Sequence, residues 1–250
     1  MNADRVLEIS DVVVRPGGAE TAVVLNELTL SVLRRETAVL AGPSGAGKTT
    51  ILRTAAGLLT PDQGSVSRCE RTGYMPQHPL TSFDPRWTII RSVAEPARLA
   101  GASKEEAVEQ AVAILQSIEL SDTQWHRRPS SLSGGQLRRA AIARALVTQP
   151  DLILADEPTA GLDPEATLQL VDLFKALSKS NESGVLWVTH DLGVAAAVSD
   201  RIMILEGGTI AETTTMQQLV SDPQSKSGRE MLNAWLPLER RASRNRLTGK

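Results

Sequence analysis

Gly42-Pro43-Ser44-Gly45-Ala46-Gly47-Lys48-Thr49 follows the apolar run Thr37-Ala38-Val39-Leu40-Ala41 and precedes Thr50-Ile51-Leu52-Arg53-Thr54-Ala55-Ala56-Gly57-Leu58. The stretch fits G-x-x-x-x-G-K-[ST], a phosphate-binding loop. Backbone N–H groups in such a loop must point at phosphate oxygens, so glycine is needed where a Cβ would block the approach. The helix that follows presents its positive N-terminal end to the same anion. Lys48 adds a point charge for the β- and γ-phosphates, and the Thr49 hydroxyl is suited to hold Mg²⁺. A plain Gly-rich turn gives no reason for Lys48-Thr49 at this spacing. The order strand, loop, helix therefore predicts a nucleoside triphosphate site over residues 42–50, with Thr50 its last member.

The composition bounds what surrounds that site. With 250 residues of which 41% are apolar, the chain is enough for one large domain or two small ones. Aromatic residues make up only 3%, so aliphatic side chains must fill the core. A net charge of −2 and a pI near 6.0 argue against a nucleic-acid binder. One cysteine, Cys69, excludes an internal disulfide and fits a reducing compartment. Neither a signal-peptide pattern nor an apolar run of about 18 residues is present, which predicts a cytoplasmic protein.

The pattern of residues predicts alternating strands and helices. Leu7-Glu8-Ile9, Val12-Val13-Val14, Ala22-Val23-Val24-Leu25 and Leu28 to Val32 read as N-terminal strands, with a turn at Pro16-Gly17-Gly18 and another at Pro61-Asp62-Gln63-Gly64. Residues 87–148 read as mainly helical, and Ser103 with Glu106 forms a capping box for a helix reaching Ser117. Asp151 to Ala155 reads as a buried strand, Pro164 to Lys179 as a helix and Gly184 to Thr189 as another strand. Such alternation implies a mostly parallel sheet covered on both faces, with ligands at the strand C-terminal ends.

Two further stretches carry chemistry. Leu152-Ile153-Leu154-Ala155-Asp156-Glu157 is an apolar strand ending in adjacent carboxylates. Alone it reads as a solvated turn or a helix cap, but with a phosphate loop upstream Asp156 is suited to organise Mg²⁺ and Glu157 to activate water as a general base. Leu132-Ser133-Gly134-Gly135-Gln136 precedes a helix expected over Leu137 to Val147. A hydroxyl, exposed N–H groups and a helix dipole make an anion-binding geometry, although an N-capped helix after a Gly turn has the same pattern.

With these stretches the chain resembles the ATP-binding subunits of ABC transporters over nearly its whole length. The ordered set is the loop at 42–49, Gln77, Leu132-Ser133-Gly134-Gly135-Gln136, Asp156-Glu157, Asp163 in Ala160-Gly161-Leu162-Asp163, and His190. The resemblance implies an α/β fold of the ABC-type ATPase: a P-loop NTPase core, an N-terminal antiparallel β-subdomain and a helical signature subdomain. The ATPase domain would span 1–220, with the helical part inserted at roughly 80–150, and 221–250 would be a short extension with a basic tail. ATP and Mg²⁺ are the implied ligands. Gln77 would join Thr49 and Asp156 at the metal and relay nucleotide state toward membrane subunits. Ser133, Gly134, Gly135 and Gln136 would contact ATP bound on a second ATPase subunit, and Asp163 would lie at that boundary. His190 would act with Glu157 and Lys48 at the γ-phosphate or the attacking water. Asp163 before Pro164 is also a good helix N-cap.

His78-Pro79-Leu80-Thr81-Ser82-Phe83-Asp84-Pro85 is similar to the segment that marks importers of peptides, nickel and metal chelates. That likeness implies a heterodimer of ATPase subunits, two transmembrane permease subunits, an extracytoplasmic solute-binding protein acting indirectly, and no nucleic acid. It places the chain peripherally on the cytoplasmic face of the inner membrane. The alternative is an ABC ATPase serving a soluble enzyme assembly, as in phosphonate breakdown. The family usually stacks an aromatic residue on adenine before the second strand, yet no Phe, Tyr or Trp precedes Tyr74 here. Val14 or Pro16 is the expected cover, with weaker and less base-selective binding. The run from Gly64 to Gln77 is short, which predicts a trimmed β-subdomain. The tail Arg240-Arg241-Ala242-Ser243-Arg244-Asn245-Arg246 reads as a solvated terminus.

Overall fold

The computed structural model describes residues 4–18 and 20–236. In chain order the elements are β1 (Arg5–Val14), β2 (Leu25–Leu33), β3 (Thr37–Ala41), α1 (Lys48–Ala55), β4 (Gln63–Arg68), β5 (Thr72–Met75), α2 (Ile89–Leu99), α3 (Lys104–Ser117), α4 (Asp122–Trp125), α5 (Gly134–Leu146), β6 (Leu152–Asp156), α6 (Pro164–Ser180), β7 (Gly184–Val188), α7 (Leu192–Val198), β8 (Arg201–Glu206), β9 (Thr209–Thr214) and α8 (Met216–Ser221). Residues 226–236 form a last helix, α9. The basic tail lies outside the described residues.

Several boundaries differ from the sequence reading, each for a local reason. The runs 7–9 and 12–14 belong to one strand, because Asp11 at φ 50° shifts the register between Ile9 and Val12 without ending the pairing. Residues 22–24 lie outside β2, which continues unbroken from Leu25 through Glu27 at φ 48°. Gln63 opens β4 instead of closing a turn, and α1 begins at Lys48 and stops before Gly57 at φ 74°. The helix expected from Leu137 starts at Gly134, so the signature glycines are its first residues. The capping box at α3 is present in both directions. Glu106 N–H donates to Ser103 Oγ at 3.2 Å, and Ser103 N–H donates to Glu106 Oε2 at 2.8 Å.

Two sheets form. β2-β1-β4 is antiparallel, and β5-β6-β7-β3-β8-β9 is parallel except for β9. Strands buried on both faces read as continuous apolar runs, and these alternate between two cores. Leu40, Leu154, Leu186 and Val188 face the small sheet and α1. Val39, Ile153, Ala155 and Trp187 face the helical side, where Phe174 meets Trp187 edge-on with ring centroids 4.8 Å apart. Such a pair is worth about 0.5–1.5 kcal/mol beyond its buried area. Glu212 fastens α9 by accepting from Ser225 N–H and Oγ at 2.8 and 2.7 Å. No helix among the described residues is long and apolar enough to cross a membrane.

Register positions the site. Met75 pairs with Ala155, Asp156 with Val188 and Leu40 with Val188, so β5, β6, β7 and β3 end at one level. The residues that leave those ends are Gln77, Glu157, His190 and the phosphate loop.

Close approach of the two sheets depends on Gly184 at the far end of β7. A Cβ there would lie 2.4 Å from Leu33 O and 2.5 Å from Val6 Cγ2. Gly184→Ala is therefore expected to destabilise the fold by about 1–3 kcal/mol in urea unfolding, as overpacked cores do. An unchanged unfolding midpoint would contradict this packing.

Candidate active site

The phosphate loop takes a shape that only its own sequence permits. Gly45 has φ 78° with open space beside it, so its glycine serves backbone conformation and leaves room for a ligand. Gly47 has φ 108° and caps α1, and a Cβ on it would lie 2.9 Å from Leu25 Cδ2. Lys48 is buried and folds back on the loop, donating from Nζ to Gly42 O at 2.7 Å and to Pro43 O at 2.9 Å. Burial lowers its pKa, while Glu157 and Asp156 favour its charge. The loop forms a cleft of about 300 Å³ lined by Val24, Ser44, Gly45, Gly47, Lys48, Thr49, Thr50, Gln77 and Glu157. Larger hollows of about 590 and 680 Å³ lie near Lys175 and Asp200 and over α2 near Trp87, away from every residue of the loop.

Asp156 ends β6 fully buried, and neither carboxylate oxygen closes a hydrogen bond. Desolvation raises its pKa, the Thr49 hydroxyl facing it offsets part of that rise, and neighbouring Glu157 adds to it. An orphaned buried carboxylate beside a hydroxyl and a phosphate cradle fits Mg²⁺, which takes one or two carboxylates and completes its shell with water and phosphate oxygens. Consistent with that donor set, no cluster of three or more His, Cys, Asp or Glu forms among the described residues.

Glu157 leaves the strand at φ 45°, a left-handed conformation that costs an L residue about 1–2 kcal/mol. Its N–H donates to Val188 O at 3.0 Å. His190 Nδ1 lies 2.9 Å from Glu157 Oε1, and Gln77 Nε2 approaches Oε2 at 3.5 Å. With Glu157 as a carboxylate, which only accepts, His190 Nδ1 is the donor of this contact. Asp191 caps α7 through Gly193 and Val194 N–H, fixing the turn that carries His190.

The signature does not join this cleft. Ser133 caps α5 by accepting from Gln136 N–H at 3.3 Å, and Gln136 Oε1 accepts from Ser133 N–H at 3.0 Å. Ser133, Gly134 and Gly135 are exposed, and a Cβ on either glycine would meet nothing within 4 Å. Nothing in this chain's own packing demands glycine there. Asp163 accepts from Ala166 N–H at 2.9 Å, the N-cap geometry its place before Pro164 suggested.

The chain is similar to known proteins. Residues 25–160 match the family model described as ABC transporter. The chain belongs to the ABC transporter family. The cassette is 35% identical to the methionine import ATP-binding protein MetN of Brucella abortus (strain 2308), over 98% of this chain and 69% of that protein. It is 34% identical to the nickel import ATP-binding protein NikE of Escherichia coli O6:K15:H31 (strain 536 / UPEC), over 86% of both chains. Among solved structures it resembles the dimeric MJ0796 bacterial ABC transporter cassette, with a TM-score of 0.76, 29% identity and coverage of 84% of this chain and 98% of that one. A second MJ0796 structure, in a post-hydrolysis state bound to ADP and Pi, matches with a TM-score of 0.75. This chain is an ABC-type ATPase.

Two residues at or next to the cleft are not marked as site residues by any pattern in the sequence. Val24 is the one apolar side chain in the cleft lining given above, whereas Val14 is buried in the core and unavailable as a cover. The signal was the apolar run 22–25, read as a strand. Arg138 contacts the turn after Glu157 but sits outside every motif.

Asp156 also gives the cassette a signed pH dependence. A folded-state pKa above the ordinary 3.8 means the proton is held more tightly when folded. The resulting stability is full below the unfolded pKa and is lost as pH rises through the raised value. Asp156→Asn is thus expected to melt above wild type at pH 7 without Mg²⁺ and nucleotide, with the gap closing toward acid pH. Adding Mg²⁺ with ATP should stabilise the wild type more than the variant. A variant that melts lower without ligand would contradict this account.

Proposed function

We propose that this chain is the ATP-hydrolysing subunit of an ABC importer. The reading rests on one observation: Lys48, Thr49, Gln77, Asp156 and Glu157 gather around one cleft while Ser133, Gly134 and Gly135 stand exposed outside it. In this reading residues 42–50 cradle the triphosphate, and Lys48 turns from the Gly42 and Pro43 carbonyls to the β- and γ-phosphates. Thr49, Asp156 and Gln77 would hold Mg²⁺, which when bound would neutralise phosphate charge. Glu157 takes a proton from the water that attacks the γ-phosphorus, and ADP leaves with the bridging oxygen. His190 orients Glu157 and the water.

The exposed signature supports a head-to-tail pairing. Ser133, Gly134, Gly135 and Gln136 then contact ATP on a second ATPase subunit, with Asp163 at the boundary. A different second chain, two transmembrane permeases and, indirectly, a solute-binding protein complete the assembly. The chain sits peripherally on the cytoplasmic face of the membrane. Its ATPase domain covers 1–220, with the helical part at roughly 80–150 and the extension from 221. MetN and NikE are named for methionine and nickel, which widens the cargo beyond the peptide and nickel group that residues 78–85 suggest. The relatives named here are import proteins, which favours transport over the soluble-assembly alternative.

Glu157→Gln should keep ATP binding and lose about 10²–10⁴ of turnover, the usual weight of a general base. Undiminished hydrolysis would contradict the assignment, and copurification with only soluble enzymes would contradict the importer reading. Val24 offers the base an aliphatic contact where an aromatic ring would add about 0.5–1.5 kcal/mol. ATP and GTP should accordingly bind with similar affinity in equilibrium titrations. Tight, ATP-exclusive binding would overturn that view of the cleft.

A further inference from the structure

Arg138 lies one turn into α5, the helix that the signature opens. Its Nη1 donates to the carbonyl of Pro158 at 2.8 Å, and its Nε is buried without a hydrogen-bond partner. Burial lowers its pKa, and no carboxylate counters that effect. Arg144 Nε is orphaned as well, but the neighbouring arginines, unlike Arg138, each have a carboxylate partner. Arg139 pairs with Glu119 at 3.1 Å and Arg144 with Glu95 at 2.6 Å, tying α5 to the elements around it.

A half-buried cation that serves one carbonyl and orphans one N–H is a poor device for stability. An apolar side chain of similar length would hold the helix as well or better. What Arg138 touches explains its presence. Glu157 sits at φ 45° immediately before a proline, which has no N–H to brace the turn. The turn is held by Glu157 N–H on Val188 O, by Ala160 N–H on Glu157 O at 3.1 Å, and by Arg138 on Pro158 O.

We propose that Arg138 is a positioning residue for Glu157, fixing the strained turn through the Pro158 carbonyl and linking the signature helix to the cleft of its own chain. The proposal rests on Glu157 acting as the base. It makes α5 a rigid connection: its first residues face the second subunit, and its fifth holds the turn that aims the carboxylate.

Turnover, KM for ATP and melting temperature of Arg138→Met, Arg138→Lys, Glu157→Gln and the Arg138→Met/Glu157→Gln double variant test this in the assembled transporter. A charge-assisted hydrogen bond lost from the turn is expected to lower kcat by about 10- to 100-fold in Arg138→Met. KM and ATP affinity should hold, and melting should be unchanged or higher. Arg138→Lys should recover part of the rate. The double variant should be no slower than Glu157→Gln alone, because both changes act on one step. Unchanged kcat in Arg138→Met, a fall in rate only in step with lost stability, or additive losses in the double variant would each overturn the proposal. Wild-type turnover in Glu157→Gln would instead remove the base assignment on which it rests.

Discussion

In-register parallel pairing of β5, β6, β7 and β3 brings four strand ends to one edge, and each group in the cleft depends on that alignment. The pairs Met75 with Ala155, Asp156 with Val188 and Leu40 with Val188 fix it. A slip of one residue would turn every side chain of a strand to the opposite face. It would bury Glu157 or expose Asp156, whose carboxylate is held in the dry interior. The two apolar cores on either side of the sheet forbid such a slip, since Trp187 and Leu186 cannot exchange faces without emptying both. Packing energy thus sets the geometry of the chemistry.

The site is arranged for charge that arrives with a ligand. Lys48 occupies itself with loop carbonyls, and Asp156 is buried without a hydrogen bond. In the proposed function both groups would gain when phosphates and a divalent cation enter, and binding would release a cost already present in the fold. Glu157 shows the same economy of form: a left-handed turn and a contact with His190 hold a carboxylate that the strand alone would not aim. The exposed serine and glycines at the start of α5 have no such internal use.

Much of this was legible in the sequence because it depends on local chemistry. The Lys48-Thr49 pair, the strand ending in Asp156-Glu157 and the Ser103 capping box are short-range patterns, and each appears where the residues indicated. Strand boundaries near the N-terminus were less legible. Bulges at Asp11 and Glu27 interrupt the period of two without ending pairing, so one strand read as two segments. Arg138 and Val24 were invisible for another reason. Their importance comes from contacts across 20 residues for Arg138 and from the path of a loop for Val24, and neither is a pattern along the chain. The family match then agreed with the resemblance the motifs had given, an ABC cassette, and MetN and NikE are named for import.

If this cleft holds ATP and another chain completes it, a structure of the cassette with its partner ATPase subunit, Mg²⁺ and a non-hydrolysable ATP analogue will show both at once. Lys48 Nζ should lie on the β- and γ-phosphate oxygens, with the γ-phosphate faced by the signature serine of the other subunit. A nucleotide seated outside residues 42–50, or a γ-phosphate enclosed by its own chain alone, would refute the shared site.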